Sequence, residues 1–300
     1  MKIRWTLVMA AAIAALAQPA LAAQNITKRA TVAADAAVDV SNVQGRVDVA
    51  AWDRNEVELT AVLESDKDEL EYDATERLVR IKVTRPERSY RYHDDEDDAI
   101  LTLRVPKGAR LAVHTVSADI MVDGVRGPQD LGTVSGTLTT RAYDEAIEVR
   151  AVSGEITVTG SDGEAAVSFE NVSGTTTVNG IRGSFEGRAV SGDILATVAA
   201  VDRLRVGSVT GDIGLQVELT PAARADLESV NGDITLTVKP PVNAEFEMET
   251  LNGDIGNCFG AKARAKSKYG PGSELTLTQG KGGAWVDIQT LNGDIEVCDR

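Results

Sequence analysis

Residues 230–238 read Val-Asn-Gly-Asp-Ile-Thr-Leu-Thr-Val, and versions of this segment recur through the C-terminal two-thirds of the chain. The shared unit is Ser/Asn-Gly-Asp-Ile, usually preceded by Val or Leu. Ten positions are equivalent to its glycine: 118, 136, 154, 174, 192, 211, 232, 253, 273 and 293. Their spacing of 18 to 21 residues is too regular for chance, so the sequence predicts a structural repeat.

Apolar and polar residues alternate inside each repeat. Ile234, Leu236 and Val238 follow one glycine, with threonines between them. Before the next glycine, Phe246 and Met248 alternate with glutamates. A period of two is typical of a β-strand, so we expect two strands and two turns in each repeat. Glycine suits the turn because it tolerates positive φ.

Two all-β architectures fit this pattern, a stacked β-solenoid and an antiparallel meander with Asn-Gly hairpin turns. The meander explains the alternation, but it does not predict that every second turn should look the same. Stacked coils do predict it, because each position then lies beside its own equivalent. The sequence therefore favours a β-solenoid with two strands per coil and about ten coils, which at ~4.8 Å per strand form a rod of about 48 Å.

The N-terminal residues 1–22 have the features of a secretory signal peptide. Lys2 and Arg4 precede an apolar stretch, and Ala20-Leu21-Ala22 supplies a small-x-small cleavage site. The apolar stretch is shorter than the ~20 residues that a membrane-spanning helix needs. We therefore expect an exported protein, periplasmic or secreted, without a transmembrane anchor.

The remaining chain divides into two predicted parts. Residues 23–110 lack the repeat but still alternate, which predicts a small N-terminal β domain. This domain would cover the first coil, whose open edge could otherwise recruit other strands. Residues 111–300 form the predicted solenoid, and no comparable cover is evident at its C-terminal end.

Composition narrows the range of functions. The 300 residues are 43% hydrophobic and 26% charged, as in a globular protein. A formal net charge of −15 argues against binding to a nucleic-acid backbone, which needs a basic surface. Two His and two Cys leave little material for a His/Cys metal centre or a Ser-His-Asp site. We therefore predict a non-enzymatic protein without a cofactor.

Several features together resemble a known family. They are the recurring Ser/Asn-Gly-Asp-Ile units, the Val105-Pro106 step before them, and Asn257-Cys258-Phe259-Gly260 with Cys298 close to the end. They resemble the bacterial "putative adhesin" β-repeat family over nearly the whole mature chain. The resemblance implies an exported β-solenoid protein and supplies no established catalytic residues.

Acidic residues recur directly after the glycine-equivalent positions. In a stack, their carboxylates would lie ~5 Å apart, where like charges destabilise each other. Either each carboxylate accepts turn N–H groups, or the column binds a cation such as Ca²⁺. Thr137 and Thr175 interrupt the series, which favours a structural turn role. The predicted column consists of Asp119, Glu155, Asp193, Asp212, Asp233, Asp254, Glu274 and Asp294.

Cys258 and Cys298 each lie five residues after a repeat glycine, in coils predicted to be two apart. Ideal stacking would separate them by ~9.6 Å, whereas the Cα atoms of a disulfide lie within ~7 Å. Either the coil around Ser273 is displaced or the thiols remain free. The oxidising compartment expected for an exported protein favours the disulfide.

These features favour an adhesin or structural scaffold of the cell envelope that presents a rigid acidic surface to an envelope protein or a glycan. The alternative is a carbohydrate-active β-helix enzyme or a polysaccharide-binding protein. A further expectation is self-association by strand addition at the C-terminal edge, residues 294–297.

Overall fold

The computed structural model describes residues 24–65, 67–85, 98–161, 163–267 and 270–299. The predicted signal peptide, residues 1–22, lies outside them. Within these ranges the chain forms strands, turns and bends but no helix, so the prediction of an all-β fold is confirmed. The described residues accordingly offer no helix with the length and hydrophobicity that crossing a lipid bilayer takes.

Most strands are short, and a few long ones bend around a corner of the molecule. The strands are β1 (Gln24–Thr31), β2 (Ala37–Trp52), β3 (Glu56–Leu63), β4 (Glu69–Ala74), β5 (Leu78–Thr84), β6 (Ala99–Pro106), β7 (Arg110–Asp123), β8 (Gln129–Ser135), β9 (Leu138–Ala142), β10 (Ile147–Ser153), β11 (Ile156–Gly160), β12 (Ala165–Ser173), β13 (Thr176–Ser191), β14 (Ile194–Thr210), β15 (Ile213–Asn231), β16 (Ile234–Val238), β17 (Ala244–Asn252), β18 (Ile255–Asn257), β19 (Arg264–Ala265), β20 (Ser273–Gln279), β21 (Ala284–Asn292) and β22 (Ile295–Asp299).

The strands form two faces of one continuous sheet. Face I has the order β4-β5-β2-β7-β8-β10-β12-β13-β14-β15-β21-β17-β20-β19. Face II has the order β1-β3-β6-β2-β7-β9-β11-β13-β14-β15-β16-β22-β18. The long strands β2, β7, β13, β14 and β15 contribute to both faces and join them.

Successive repeats pair in parallel and in register. Ile194 pairs with Ile213, and Ile213 pairs with Ile234. Each repeat therefore lies on its equivalent, as stacking predicts and as a meander would not. The fold is solenoid-like, and we call each stacked repeat a rung.

The stacking order differs from the chain order at the C-terminal end. β21 lies between β15 and β17, and β22 lies between β16 and β18. The last repeat of the sequence is thus inserted between two earlier ones. By glycine-equivalent position, the rungs follow the order 45, 118, 136, 154, 174, 192, 211, 232, 293 and 253.

This insertion corrects three sequence-based expectations. The segment around Ser273 is not a rung, because β20 pairs antiparallel with β17. Glu274 therefore lies outside the acidic column and opposite Glu249. Residues 294–297 do not form an open edge, because β22 is hydrogen-bonded to a strand on each side. Strand addition to this segment is thereby prevented.

The parallel stack also extends across the predicted boundary at residue 110. β2 pairs with β7 from Ala37 to Ala50, so residues 37–52 form a rung of their own. Its corner reads Asn42-Val43-Gln44-Gly45, a version of the repeat that the sequence pattern did not single out. Beyond it, the antiparallel pairs β1–β3, β3–β6 and β4–β5 complete the N-terminal end.

The inward side chains of both faces form one apolar core. It consists mainly of Val, Ile, Leu and Ala, which suit two sheets packed closely face to face. The few aromatic rings stack within it: Phe169 and Phe185 have centroids 5.6 Å apart, and Phe246 and Phe259 have centroids 5.7 Å apart. The β-branched residues thus serve both as strand formers and as the filling of the core.

The disulfide between Cys258 and Cys298 is present, as predicted. The inserted repeat explains how it forms, because Asn257 pairs with Val297 on the neighbouring strand. The Cα atoms of the two cysteines are 4.9 Å apart. The obstacle that the sequence raised, two coils of separation, does not exist in the folded chain.

The glycines of the repeat form a column at the corner between the faces. A Cβ at Gly154, Gly174, Gly192, Gly211, Gly232, Gly293 or Gly253 would lie 2.0–2.4 Å from the carbonyl oxygen of the glycine on the rung before it. Real Cβ atoms essentially never approach a non-bonded heavy atom this closely. The rungs can therefore approach to strand spacing at this corner only when the side chain is absent.

Replacing one glycine of the column should weaken the whole stack. For Gly192→Ala, the added Cβ would meet the Gly174 oxygen at 2.2 Å, and φ is +135°. We expect the free energy of unfolding to fall by about 2–4 kcal/mol, measured by urea denaturation. Gly207→Ala is the control, because its Cβ would meet nothing closer than 3.9 Å. Equal effects of the two changes would contradict the close-approach explanation.

Reduction of the disulfide should destabilise the protein. Because the bridge closes a loop between residues 40 positions apart, we expect a loss of ~3–4 kcal/mol in the chain-entropy model. Denaturation curves with and without a thiol reductant measure it, with the Cys258→Ser/Cys298→Ser variant as the reductant-insensitive control. Mass analysis after alkylation without reductant should find no modified thiol, and two modified thiols would contradict the bridge.

Candidate functional site

Nine aliphatic side chains form a continuous exposed line along face I, which we call the apolar stripe. One comes from each of nine consecutive rungs, and each is 39–49% exposed. Eight steps of ~4.8 Å give the stripe a length of about 38 Å. In stacking order its members are Val116, Val134, Val152, Val172, Val190, Val209, Val230, Leu291 and Leu251.

The stripe is exposed because of the backbone phase at the corner. In one rung, Val149 and Ala151 point inward, which turns Val152 outward. Ser153 is exposed as well, because the chain bends there, and Ile156 returns to the core on face II. The apolar residue that precedes each Ser/Asn-Gly therefore faces outward by the same alternation that buries its neighbours.

Small polar side chains beneath the stripe support the bend. They point inward, and the threonines and Asn171 among them donate hydrogen bonds to carbonyls at the corner. Thr250 Oγ1 donates to the Gly293 oxygen at 2.9 Å, and Thr290 Oγ1 to the Gly232 oxygen at 3.3 Å. Asn171 Nδ2 donates to the Gly154 and Gly174 oxygens at 3.3 and 3.2 Å. On these rungs the corner carbonyls are thus satisfied from inside the molecule.

A shallow groove of about 1030 Å³ follows the stripe. The apolar stripe forms one wall of the groove. The other wall is formed by the residues two positions before the stripe residue in each strand, which we call the charge ladder. In stacking order these are His114, Gly132, Arg150, Glu170, Arg188, Gly207, Glu228, Gln289 and Glu249.

Two arginines of the charge ladder have acidic partners on the same face. Arg150 contacts Asp130 at 3.0 Å and also pairs with Glu148. Arg188 contacts Glu186 at 3.1 Å. These pairs are solvent-exposed, so each contributes little to stability, but they hold the charges beside the groove.

The acidic column lies on the other side of the stripe, at the turn into face II. In stacking order, its members among the described residues are Asp119, Glu155, Asp193, Asp212, Asp233, Asp294 and Asp254, all exposed. The structure therefore brings together seven of the eight predicted residues and leaves out Glu274.

Each aspartate of the column except Asp254, on the last rung, accepts a hydrogen bond from a backbone N–H of the next rung. The N–H of Asp212 donates to Asp193 Oδ1 at 3.0 Å, and the N–H of Asp233 donates to Asp212 Oδ1 at 2.9 Å. The same bond joins Asp294 to Asp233 and Asp254 to Asp294, both at 2.8 Å, and Thr137 to Asp119 at 2.7 Å. A backbone donor thus lies between successive carboxylates, which offsets their repulsion.

A cation stands at one end of this column. Arg46 occupies the equivalent position on the first rung and pairs in register with Asp119. The pKa of Arg46 is raised, first by its hydrogen bond to Asp48 at 2.7 Å, then by the charge of Asp48, with Asp119 adding in the same direction. The guanidinium therefore neutralises part of the charge at the N-terminal end of the column.

The described residues do not include a cluster suited to binding a metal ion. No three His, Cys, Asp or Glu side chains among them are placed to hold one metal ion. The histidine that they include, His114, has Nε2 at 3.7 Å from Asp130 on the exposed face. The arrangement offers instead a long apolar contact surface with charged borders.

The sequence pattern recorded the stripe residues but did not identify them as a surface. Val or Leu before Ser/Asn-Gly belongs to the repeat unit, and the unit alone does not indicate that this residue is exposed. The signal for exposure is the phase of the strand alternation. Val152 follows Ala151 and lies two residues after Arg150, so it is on the same face of the strand as a charged residue. An aliphatic residue in the outward phase of nine repeats predicts an exposed line.

The family model of Toastrack DUF4097 matches residues 36–298. The chain belongs to the Toastrack DUF4097 family. This match spans most of the chain and confirms the family resemblance drawn from the repeat units. A search of curated proteins found no match to this Toastrack chain.

Solved bacterial proteins align with this Toastrack chain over most of its length. A "putative cell adhesion protein" of Clostridium sporogenes is 10% identical, with 93% of this chain and 100% of that chain covered and a TM-score of 0.27. A "putative adhesin" of Bacteroides fragilis is 9% identical, with coverages of 92% and 97% and a TM-score of 0.32. A "putative lipid binding protein" of Parabacteroides distasonis is also 9% identical, with coverages of 92% and 96% and a TM-score of 0.32. Scores this low support no functional argument.

The acidic column should act through its backbone bonds and not through a cation. Asp212→Ala removes the acceptor of the Asp233 N–H and should lower the free energy of unfolding by about 0.5–1 kcal/mol. Asp212→Asn keeps an oxygen acceptor and removes a charge, so we expect no loss. Thermal denaturation measures both, and a rise in Tm on adding Ca²⁺ would contradict the structural role.

Proposed function

We propose that this protein is a non-enzymatic, exported component of the cell envelope, adhesin-like, that holds a partner molecule against its apolar stripe. The observation that carries this proposal is the line of nine exposed Val and Leu side chains. The signal-peptide pattern supports export. The disulfide supports it too, because disulfides persist in oxidising compartments.

The stripe is unusual for a surface that contacts only water. Single exposed aliphatic residues are common, but monomeric proteins rarely expose contiguous apolar patches larger than a few hundred Å². A line of nine such residues over about 38 Å, flanked by polar and charged rows, has the form of an interaction surface. A rigid parallel sheet holds the residues in place, so little ordering entropy opposes binding.

The carbohydrate alternative has less support. Among the described residues that line the groove, none is Phe, Tyr or Trp, whereas sugar-binding grooves commonly use such rings as platforms. A glycosidase needs two carboxylates placed on either side of one bond. Here the carboxylates repeat along the rod, and several already accept a backbone N–H.

Polar replacement in the middle of the stripe should remove binding without unfolding the protein. We expect Val152→Ser/Val172→Ser/Val190→Ser to retain cell-envelope material at least about tenfold less strongly than the wild type, because each side chain loses apolar contact area. Capture from solubilised envelope extract on the immobilised protein measures it.

Leu195→Ser is the matched control for the stripe variant. Leu195 is 49% exposed on face II, outside the stripe. This control should capture as well as the wild type, and thermal denaturation should show all three proteins folded. Equal capture by the stripe variant and the wild type would refute the proposed function.

Catalysis on glycans should be absent. We expect no shortening of polysaccharide chains in a depolymerisation screen with and without Ca²⁺, because the carboxylates are not paired across a bond. Product analysis by size-exclusion chromatography measures it. Chain cleavage by the wild type would establish the carbohydrate-active alternative instead.

A further inference from the structure

The charge ladder beside the stripe is asymmetric along the rod. In its first five positions it carries His114, Arg150 and Arg188, with Glu170 as the one acid. In its last four positions it carries Glu228 and Glu249, of which Glu249 is ion-paired with Lys266. Reversal of this surface therefore brings Arg150 in the first half opposite Glu228 in the last.

A two-fold axis at Val190, the fifth of the nine stripe residues, performs this reversal. The axis is perpendicular to both rods and lies in the plane between the two packed faces. The two apolar stripes then pack against each other, and the two charge ladders lie opposite each other and run in opposite directions. Arg150 then faces Glu228 of the second copy, and His114 faces the Glu249–Lys266 pair. These contacts occur twice because the interface is isologous.

The remaining ladder positions also fit this arrangement. Gly132 faces Gln289 of the second copy, and Glu170 faces Gly207, so no charges of like sign oppose each other there. Only Arg188 faces its own equivalent, at the axis. Each Arg188 brings Glu186 with it at 3.1 Å, which places two cations and two anions around the axis.

We propose that two copies of this chain associate antiparallel through the apolar stripe, with the two-fold axis at Val190. The proposal rests on the proposed function, which assigns the stripe as the contact surface, and it names the partner. It leaves the ends of both rods free for other contacts.

A parallel pair of rods lacks this complementarity. A two-fold axis along the rods would place the charge ladder against the neutral row that follows the stripe, which begins with Ser117 and ends with Asn252. Glu228 would then be desolvated without an opposite charge, which is costly. The antiparallel arrangement is therefore favoured.

The surface is large enough for a specific dimer. The charge ladder, the stripe and the neutral row supply three residues on each of nine rungs, about 27 per copy, within the 20–30 per side of standard interfaces. The formal charge of −15 on each copy opposes association at low ionic strength. Physiological salt screens this repulsion over about 8 Å, so the test is done there.

Cysteine cross-linking tests the position of the axis. Each variant is treated with a short bismaleimide, which leaves the native disulfide intact. Val190→Cys lies at the axis and should cross-link to its own equivalent. Val134→Cys faces Leu291 of the second copy and should form no cross-link alone, but it should cross-link when mixed with Leu291→Cys. Cross-linking of Val134→Cys to itself and of Leu291→Cys to itself would indicate parallel rods. The absence of a cross-link in every variant and mixture would indicate that no dimer forms. Either result overturns the proposal.

Charge reversal provides an independent test by sedimentation velocity over a protein concentration series. Arg150→Glu and Glu228→Arg should each raise the dimer Kd at least about tenfold, and the double variant should restore it. Arg141→Glu, on face II, is the control and should leave the Kd unchanged. Failure of the double variant to restore the Kd, with all variants folded by circular dichroism, overturns the proposal.

The outcome for the proposed function is separable. Suppose that the wild type stays monomeric and that the stripe variant captures less envelope material than the wild type. This combination would refute only the dimer. A stripe variant that captures envelope material normally would refute the proposed function itself.

Discussion

The close approach of glycine backbones at one corner underlies the whole structure. Along seven consecutive contacts, the place where a Cβ would stand is 2.0–2.4 Å from the carbonyl of the rung before. A side chain at any of these positions would push two rungs apart and break parallel pairing on both faces. This explains why the repeat keeps its glycine while its other positions vary.

The tight corner also determines what the surface presents. Because the chain turns sharply after the outward Val or Leu, it exposes that residue and the following Ser or Asn side by side. The aspartate after the glycine then lies where its carboxylate reaches the N–H of the next rung. The apolar stripe and the acidic column are thus two consequences of one bend, repeated at strand spacing.

Much of this architecture follows from local pattern. The alternation in Ile234-Thr235-Leu236-Thr237-Val238 reflects one buried and one exposed side of a strand. The nearly constant repeat length reflects stacking. Both depend on interactions between neighbouring positions, which sequence records directly. The stripe is also present in the sequence pattern, since Val152 and Arg150 lie on the same face of one strand. The repeat unit itself indicates only the roles of the glycine and the acidic residue.

The sequence by itself determined the all-β repeat, the stacked corner, the acidic column and the family, because these arise from residues a few positions apart or from equivalent positions in successive repeats. Only the tertiary structure decided the order of the last rungs. Insertion of Ala284–Asp299 between earlier strands depends on which edges meet in space, and no local pattern encodes that choice. The same choice placed Cys258 beside Cys298, moved Glu274 out of the column and closed the edge that the sequence left open.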